Sequence, residues 1–245
     1  MINLRPQDTI HKSYLNRILI ETIDDPVLSQ NLAFKGGTCA SMLGFLDRFS
    51  VDLDFDLITD IDKKLIRKEF RQIFEKLGLN IATEYTNVIF FQVKYPSSTP
   101  NQRNSIKISL NDIKFNFNVY KVQFFPELDR LMNSQTIETM FANKLVAATD
   151  RFRKYHTIAG RDIYDIHHFF VKGYNYKSEI IKERTGLTSP EYFKKLTEFI
   201  KKHVNQKIID EDLNTLLPND YFQQIRKVLI PETLFFLSEE KSNKI

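Results

Sequence analysis

Apolar residues set a helical rhythm at the start of the chain. Ile10, Tyr14, Leu15, Ile18 and Leu19 share one face of a helix over residues 8–23, with Asp8 placed to cap it and Asp24-Asp25-Pro26 to end it. A short apolar segment, Leu32-Ala33-Phe34-Lys35, then runs into Gly36-Gly37-Thr38, and residues 39–45 look helical, so the glycines fall at a strand-to-helix junction. Residues 50–57 alternate strictly, with Ser50, Asp52, Asp54 and Asp56 polar and Val51, Leu53, Phe55 and Leu57 apolar. That is the period of a strand with one wet face. Asp60 or Asp62 caps a helix over roughly 62–77, which Gly78 stops. Residues 81–85, 88–95, 105–110 and 115–125 read as strands, broken by the turn chemistry of Thr86-Asn87, Pro96 to Asn101 and Asn111-Asp112.

The character changes after Pro126. Ile137, Met140, Phe141, Leu145 and Ala148 recur at helical spacing over residues 134–149, with Ser134 as N-cap. Ile163, Ile166, Phe169 and Phe170 mark a second helix, Ser189-Pro190 opens a third that reaches about His203, and a last one covers 219–237. Residues 241–245 are expected to fray. No internal repeat or low-complexity segment interrupts this order. The expected fold is α/β (α+β): a mixed-sheet domain over residues 1–126 followed by an all-helical domain over residues 127–245.

Among 245 residues, 21 Phe and 10 Tyr against 7 Gly and 8 Pro imply a sizeable core and few long loops. The net charge of +4 permits a nucleic-acid partner without requiring one. The single cysteine, Cys39, excludes an internal disulfide and a Cys-rich zinc site. The first residues lack the basic and apolar regions of a secretory signal, and no run approaches the roughly 18 apolar residues of a membrane span. The expected setting is the reducing cytoplasm, with no membrane partner.

Chemistry concentrates at residues 36–56. Asp52, Asp54 and Asp56 project from one side of one predicted strand, same-face neighbours being about 6–7 Å apart. No Lys or Arg interleaves with them in the strand, so aligned like charges would cost several kcal/mol, on the order of a buried-ion penalty, unless a cation is supplied. Oxygen-only ligands suit Mg²⁺, and paired strand carboxylates can hold one or two such ions for in-line phosphoryl or nucleotidyl transfer. The alternative is a solvated strand face, but Asp is a poor strand former and such local conflicts favour functional sites. Gly36-Gly37-Thr38 lets backbone N–H groups approach phosphate oxygens, with a hydroxyl donor added. Thirteen residues separate Thr38 from Asp52, which sets a phosphate cradle beside a metal-binding strand.

Phe34-Lys35-Gly36-Gly37-Thr38 followed by Arg48-Phe49-Ser50-Val51-Asp52-Leu53-Asp54-Phe55 resembles the signature of polymerase-β-type nucleotidyltransferases. More narrowly it resembles the AbiEii/AbiGii toxin family of bacterial abortive-infection and toxin–antitoxin systems, whose members carry a Lys-Gly-Gly-Thr or -Ser turn and an Arg-x-Ser-x-Asp-Leu-Asp-Phe strand. Lys144, on a helix, and Arg161-Asp162-Ile163-Tyr164-Asp165, opening the next, fit the same family. The resemblance implies transfer of an NMP from an NTP to an acceptor hydroxyl with release of pyrophosphate, dependent on Mg²⁺ or Mn²⁺. It implies that Lys35, Gly36, Gly37, Thr38 and Arg48 bind the nucleotide, that Asp52 and Asp54 bind metal, and that Ser50, Lys144 and Asp162 assist catalysis. Asp56, Asp165 and Arg161 stand behind these as supporting residues. It further implies a growth-blocking toxin that modifies tRNA or another RNA, held in check by a cognate antitoxin.

The sequence departs from the pattern at one place. Polymerase-β-type enzymes often carry a third acidic ligand on a later strand, but Ser109 and Asn111 occupy the alternating face there, and Asp112 falls out of register or beyond the strand end. This fits a slow enzyme or a degenerate one, with Asp56 as a substitute ligand. Two rival functions follow: a nucleotidyltransferase fold that binds a nucleotide, RNA or protein without turnover, and an NMP transferase acting on a protein or a small molecule such as an antibiotic. His167 and His168, adjacent on a helix, diverge by about 100° and read as packing or surface residues. Cys39 reads as a small buried residue. Arg151, Arg153, Lys154 and Arg161, interleaved with Tyr155 and His156, suit an RNA backbone with base stacking or, equally, a solvated loop.

Overall fold

The computed structural model describes residues 6–96 and 103–242. The predicted turn beyond Pro96 and the end of the chain from residue 243 therefore lie outside the described residues, and the side chains of residues 241 and 242 are likewise not described. The described chain divides into two compact units, the first running up to Lys114 and including Tyr120–Gln135, the second formed by Phe115–Val119 and the residues from Thr136 onward. The expected boundary at residue 126 differs because one strand beyond it belongs to the sheet.

In the first unit α1 (Pro6–Asp24) ends where Asp24-Asp25-Pro26 was expected to end it. Asp8 lies inside its first turn and is buried rather than capping. Asp25 instead caps a short helix, α2 (Pro26–Asn31), its carboxylate accepting from the Leu28 amide at 2.8 Å. There follow β1 (Leu32–Lys35), α3 (Gly36–Met42), β2 (Leu53–Leu57) and α4 (Lys63–Lys76), the last capped by Asp62. The remaining strands are β3 (Asn80–Tyr85), β4 (Phe90–Lys94), β5 (Ser105–Asn111), β6 (Tyr120–Phe125) and β7 (Arg130–Gln135). They form one seven-stranded mixed sheet in the order β3-β4-β5-β2-β1-β7-β6, with β2–β5 and β1–β7 parallel and the other pairs antiparallel.

Two predicted elements differ. Residues 115–125 do not form one strand: only β6 pairs, and Phe115–Val119 leave the sheet for the other unit. Ser134 does not cap a helix, because β7 occupies residues 130–135 and seats Ser134, fully buried, beside Phe34 of β1. Its hydroxyl accepts from Gln123 across the β6–β7 pair at 2.7 Å, which is how a polar residue is satisfied in that position.

Antiparallel pairing sets Phe34 opposite Phe55 and Lys35 opposite Asp54. Cross-strand partners share a face, so the sheet has an apolar side and a polar one. The apolar side is an aromatic core: Phe34 meets Phe55 and Phe125 at centroid distances of 5.3 and 5.8 Å, and Phe55 and Phe91 meet Phe70 of α4 at 6.2 and 5.9 Å. The strong amphipathy of α4, with Ile66, Phe70, Ile73 and Phe74 buried, is what covers that side.

The second unit is all-helical: α5 (Ile137–Tyr155), α6 (Gly160–Val171), α7 (Ser178–Thr185), α8 (Ser189–His203), α9 (Gln206–Leu213) and α10 (Asn219–Ser242). Thr136, not Ser134, caps α5. Thr188 and Glu191 form a capping box ahead of α8, with the Thr188 amide donating to the Glu191 carboxylate at 2.8 Å. α7 and α9, of eight residues each, are helices that the sequence reading did not place. Phe141, Tyr164, Phe169, Tyr192 and Phe193 are fully buried in this unit.

Replacing Phe70 by Ala removes the ring that touches Phe55, Phe74 and Phe91, and urea unfolding is expected to show a loss of about 3–5 kcal/mol.

Candidate active site

The polar side of the sheet carries the predicted carboxylates, and one of them is not wet. β2 begins at Leu53, so Asp52 precedes the strand, while Asp54 and Asp56 lie on it. Asp52 and Asp54 are half-buried; Asp56 is only 2% exposed. The absence of a basic residue within the strand did not leave Asp56 uncompensated, because the cation comes from the next strand: Lys35 Nζ lies 2.6 Å from Asp56 Oδ1. Asn111 donates to the same oxygen at 3.1 Å, and Tyr120 and Gln135 donate to Oδ2 at 3.1 and 2.6 Å. Neither Tyr120 nor Gln135 carried any signal in the sequence, since both reach the site through strand pairing.

The glycine turn sits directly against Asp54. Gly36 has φ +78°, and a Cβ added there would stand 2.6 Å from Asp54 Oδ2. A Cβ on Gly37 would stand 2.7 Å from Arg48 Nη2 and 3.0 Å from Ser50 Oγ. Gly36 is thus required twice over, by its positive φ and by the carboxylate, and Gly37 by the close approach alone. The turn therefore brings together Gly36, Gly37, Arg48, Ser50 and Asp54, five of the residues singled out in the sequence.

Hydrogen bonds lock this arrangement. The Thr38 hydroxyl donates to the Asp52 carbonyl at 2.5 Å, so in this structure it ties α3 to the carboxylate segment instead of facing outward as a phosphate donor. Arg48, buried, donates to the Phe49 carbonyl at 3.0 Å, and the Ser41 hydroxyl donates to the Arg48 carbonyl at 3.0 Å. His11 of α1, which the sequence reading passed over, donates from Nε2 to the Val51 carbonyl at 2.9 Å, and burial lowers its pKa to about 4. Cys39 is fully buried and burial pushes its thiol well up, so it is a packing residue and not a nucleophile.

The parallel register of β2 and β5 sets Asp54 beside Ser109 and Asp56 beside Asn111. Where a third carboxylate was sought there is a hydroxyl that donates to Asp54 Oδ1 at 2.5 Å. Asp112 lies past the end of β5 and pairs with Lys63. Asp56, the substitute that the sequence offered, already accepts four hydrogen bonds. Among the described residues no group of three or more His, Cys, Asp or Glu side chains forms a metal site. Asp52 and Asp54 bring two hard oxygen ligands to the segment beside the backbone cradle. That set fits a divalent cation whose other ligands are phosphate oxygens and water.

In the helical unit Lys144 of α5 lies 3.0 Å from Asp162 Oδ1 and 3.0 Å from Asp165 Oδ2 on α6, both carboxylates being fully buried or nearly so. Arg151 donates to Asp162 Oδ2 at 3.1 Å. Burial alone would raise the Asp162 carboxyl, but the Lys144 and Arg151 charges outweigh it and bring the group down to about 2. Of the basic cluster, Arg151 is spent on Asp162 and Arg153 pairs with Asp150 at 3.0 Å; the Arg161 amide donates to Asp212 at 3.2 Å, and Lys154 is exposed. His167 and His168 are buried, His167 Nε2 standing 2.7 Å from Glu232, which makes them packing residues as read.

A mixed sheet with a glycine turn abutting strand carboxylates, joined to a helical unit, is the architecture of a nucleotidyltransferase. The family model described as nucleotidyl transferase AbiEii toxin, type IV toxin–antitoxin system, matches residues 17–234, and the chain belongs to that family. Solved structures agree on the fold. A candidate nucleotidyltransferase from H. pylori superposes with a TM-score of 0.60 at 20% identity, covering 98% of this chain and 96% of that one. JHP933 from Helicobacter pylori does so with a TM-score of 0.53 at 20% identity, covering 98% and 97%. None of the curated proteins matches the chain. Among the described residues no helix is long and apolar enough to cross a membrane.

Gly36→Ala is expected to cost about 1–2 kcal/mol from the left-handed backbone alone, and to displace Asp54; urea unfolding measures the first and weakened binding of a fluorescent NTP the second. Asp162 carries stability that is complete above pH 4 or so, the range of an ordinary carboxyl, and that is lost as pH falls towards 2. Asp162→Asn should lower stability at pH 7 by about 3 kcal/mol, and thermal melts from pH 7 to pH 2 should show a shallower acid decline than in the parent protein.

Proposed function

We propose that this chain is a divalent-metal-dependent nucleotidyltransferase that moves an NMP from an NTP to a hydroxyl of tRNA or another RNA, and that it is the toxin of a pair with a cognate antitoxin. The observation that carries this reading is the contact between the glycine turn and Asp54, which sets a backbone phosphate cradle within one side chain's reach of a metal-binding carboxylate. Membership of a nucleotidyl transferase toxin family supports the transferase and the antitoxin. An RNA acceptor is in keeping with the protein's positive net charge.

Asp52 and Asp54 would hold Mg²⁺ or Mn²⁺, which when bound supplies neutralising charge for the triphosphate and for the pentavalent transition state. The amides of Gly36 and Gly37 approach the phosphate oxygens, a distance that any Cβ would increase. Ser50 and Arg48 stand against Gly37 and fix the shape of the turn. Thr38 holds the Asp52 carbonyl and Ser109 the Asp54 carboxylate, so both ligands are oriented before substrate arrives. The acceptor hydroxyl attacks the α-phosphorus in line; the new P–O bond forms as the bond to pyrophosphate breaks, and the hydroxyl proton passes to solvent. Within the helical unit Asp162 and Asp165 hold the Lys144 ammonium in place as a fixed cation.

The test is to incubate the purified protein with each α-phosphate-labelled NTP, Mg²⁺ and total tRNA. Label is expected in RNA with at least one NTP and is expected to vanish with Asp54→Asn. Label on protein or on a small-molecule acceptor would replace RNA as the substrate class. A second reading, nucleotide binding without turnover, is favoured by Ser109 and Asn111 standing where a third carboxylate is absent. Tight NTP binding with no label anywhere would establish it.

A further inference from the structure

We infer that His11 is a positioning residue for Asp52, fixing through the Val51 carbonyl the backbone from which that carboxylate projects. This rests on the nucleotidyl-transfer reading above and deepens it.

Asp52 lies one residue ahead of β2, whose pairing begins at Leu53. A peptide unit is planar, so a residue's φ and ψ are the rotations of the two planes that meet at its Cα. The Val51 carbonyl belongs to the plane before Asp52 and the Asp52 carbonyl to the plane after it. Each accepts a side-chain hydrogen bond, the first from His11 Nε2 at 2.9 Å and the second from the Thr38 hydroxyl at 2.5 Å. Holding both planes fixes both angles, and with them the direction of the Asp52 Cα–Cβ bond. A metal ligand must stand within about 0.5 Å of its productive position, and this pair of bonds supplies the backbone half of that requirement.

The donor is itself held. His11 is fully buried on α1, and its ring meets Phe49 of the carboxylate segment edge-on at a centroid distance of 5.9 Å and Tyr95 at 5.8 Å. Tyr95 in turn stacks on Tyr14 at 4.3 Å. A carbonyl can only accept, whereas a hydroxyl rotates to donate or accept. Burial lowers the His11 pKa to about 4, so the ring is neutral at pH 7 and carries one proton. That proton sits on Nε2, facing Val51. The Tyr95 hydroxyl faces the bare Nδ1 at 3.0 Å and shares its own proton with the Arg103 carbonyl at 2.6 Å. An apolar residue would fill the same space without desolvation cost, and would leave the Val51 carbonyl without this donor.

Two measurements test this. Mn²⁺ binding is followed by EPR in the presence of a non-hydrolysable NTP analogue, for the parent protein, His11→Gln and His11→Asn, each below its own melting temperature. Glutamine places its amide near the position of Nε2 and asparagine only near that of Nδ1, so the two variants match in polarity and differ in reach. His11→Asn is expected to bind Mn²⁺ about tenfold more weakly, and His11→Gln to stay within about threefold of the parent. Equal affinity in all three proteins, or an equal loss in both variants, overturns the inference and leaves the nucleotidyl-transfer reading standing, whereas no Mn²⁺ uptake by the parent overturns both. The second measurement needs no variant, so a folding failure does not blunt it: the ¹⁵N spectrum of the histidine-labelled parent at pH 7, with His11 assigned through its contacts to the Phe49 and Tyr95 rings. A neutral ring protonated at Nε2 is expected, and a proton on Nδ1 sinks the proposal.

Discussion

One cross-strand register governs the first unit. Lys35 opposite Asp54 and Phe34 opposite Phe55 place every aromatic ring of β1 and β2 on one side of the sheet and every charge on the other. Because the side-chain period of a strand is two, a slip of one residue would drive Asp54 and Asp56 into the Phe70–Phe91 core and expose Phe55. The hydrophobic core therefore does more than stabilise the sheet. It locks the register that aims the carboxylates at the glycine turn.

The same register explains the glycines. α3 starts at the residue after Lys35, so the turn has to bend back over the β2 carboxylates in the space left beside Asp54, and Gly36 fills it with a left-handed backbone and no side chain. Thr38, Ser109 and His11 then convert proximity into fixed geometry, each with one hydrogen bond to the carboxylate segment or its immediate approach. Each acts on a different residue between Val51 and Asp54. A site made this way is pre-organised by many modest interactions rather than by one strong one.

Both units share a physical habit: a lysine held by buried carboxylates. In the sheet it is Lys35 on Asp56; among the helices it is Lys144 on Asp162 and Asp165. Buried ion pairs are poor sources of stability compared with apolar packing, so their presence in two separate places argues for a role in setting where a charge stands.

Local chemistry was enough to reveal the glycine turn, the Asp52-Leu53-Asp54 run, the helices with strong periodicity and the switch from sheet to helices, because each rests on neighbours within a few residues. What it missed came through distant pairing. β7 reads as a helix start because Asn133-Ser134-Gln135 is polar, and only the parallel strand β1 and the β6 hairpin make those residues strand. Asp56 reads as wet; it is buried instead, because Lys35, Asn111, Tyr120 and Gln135 come from four other strands to hydrogen-bond it. Spacing along the chain identifies which side chains can share a face. Which donors finally saturate a given oxygen is a matter of three-dimensional neighbours, and those were decided by the order and register of the strands.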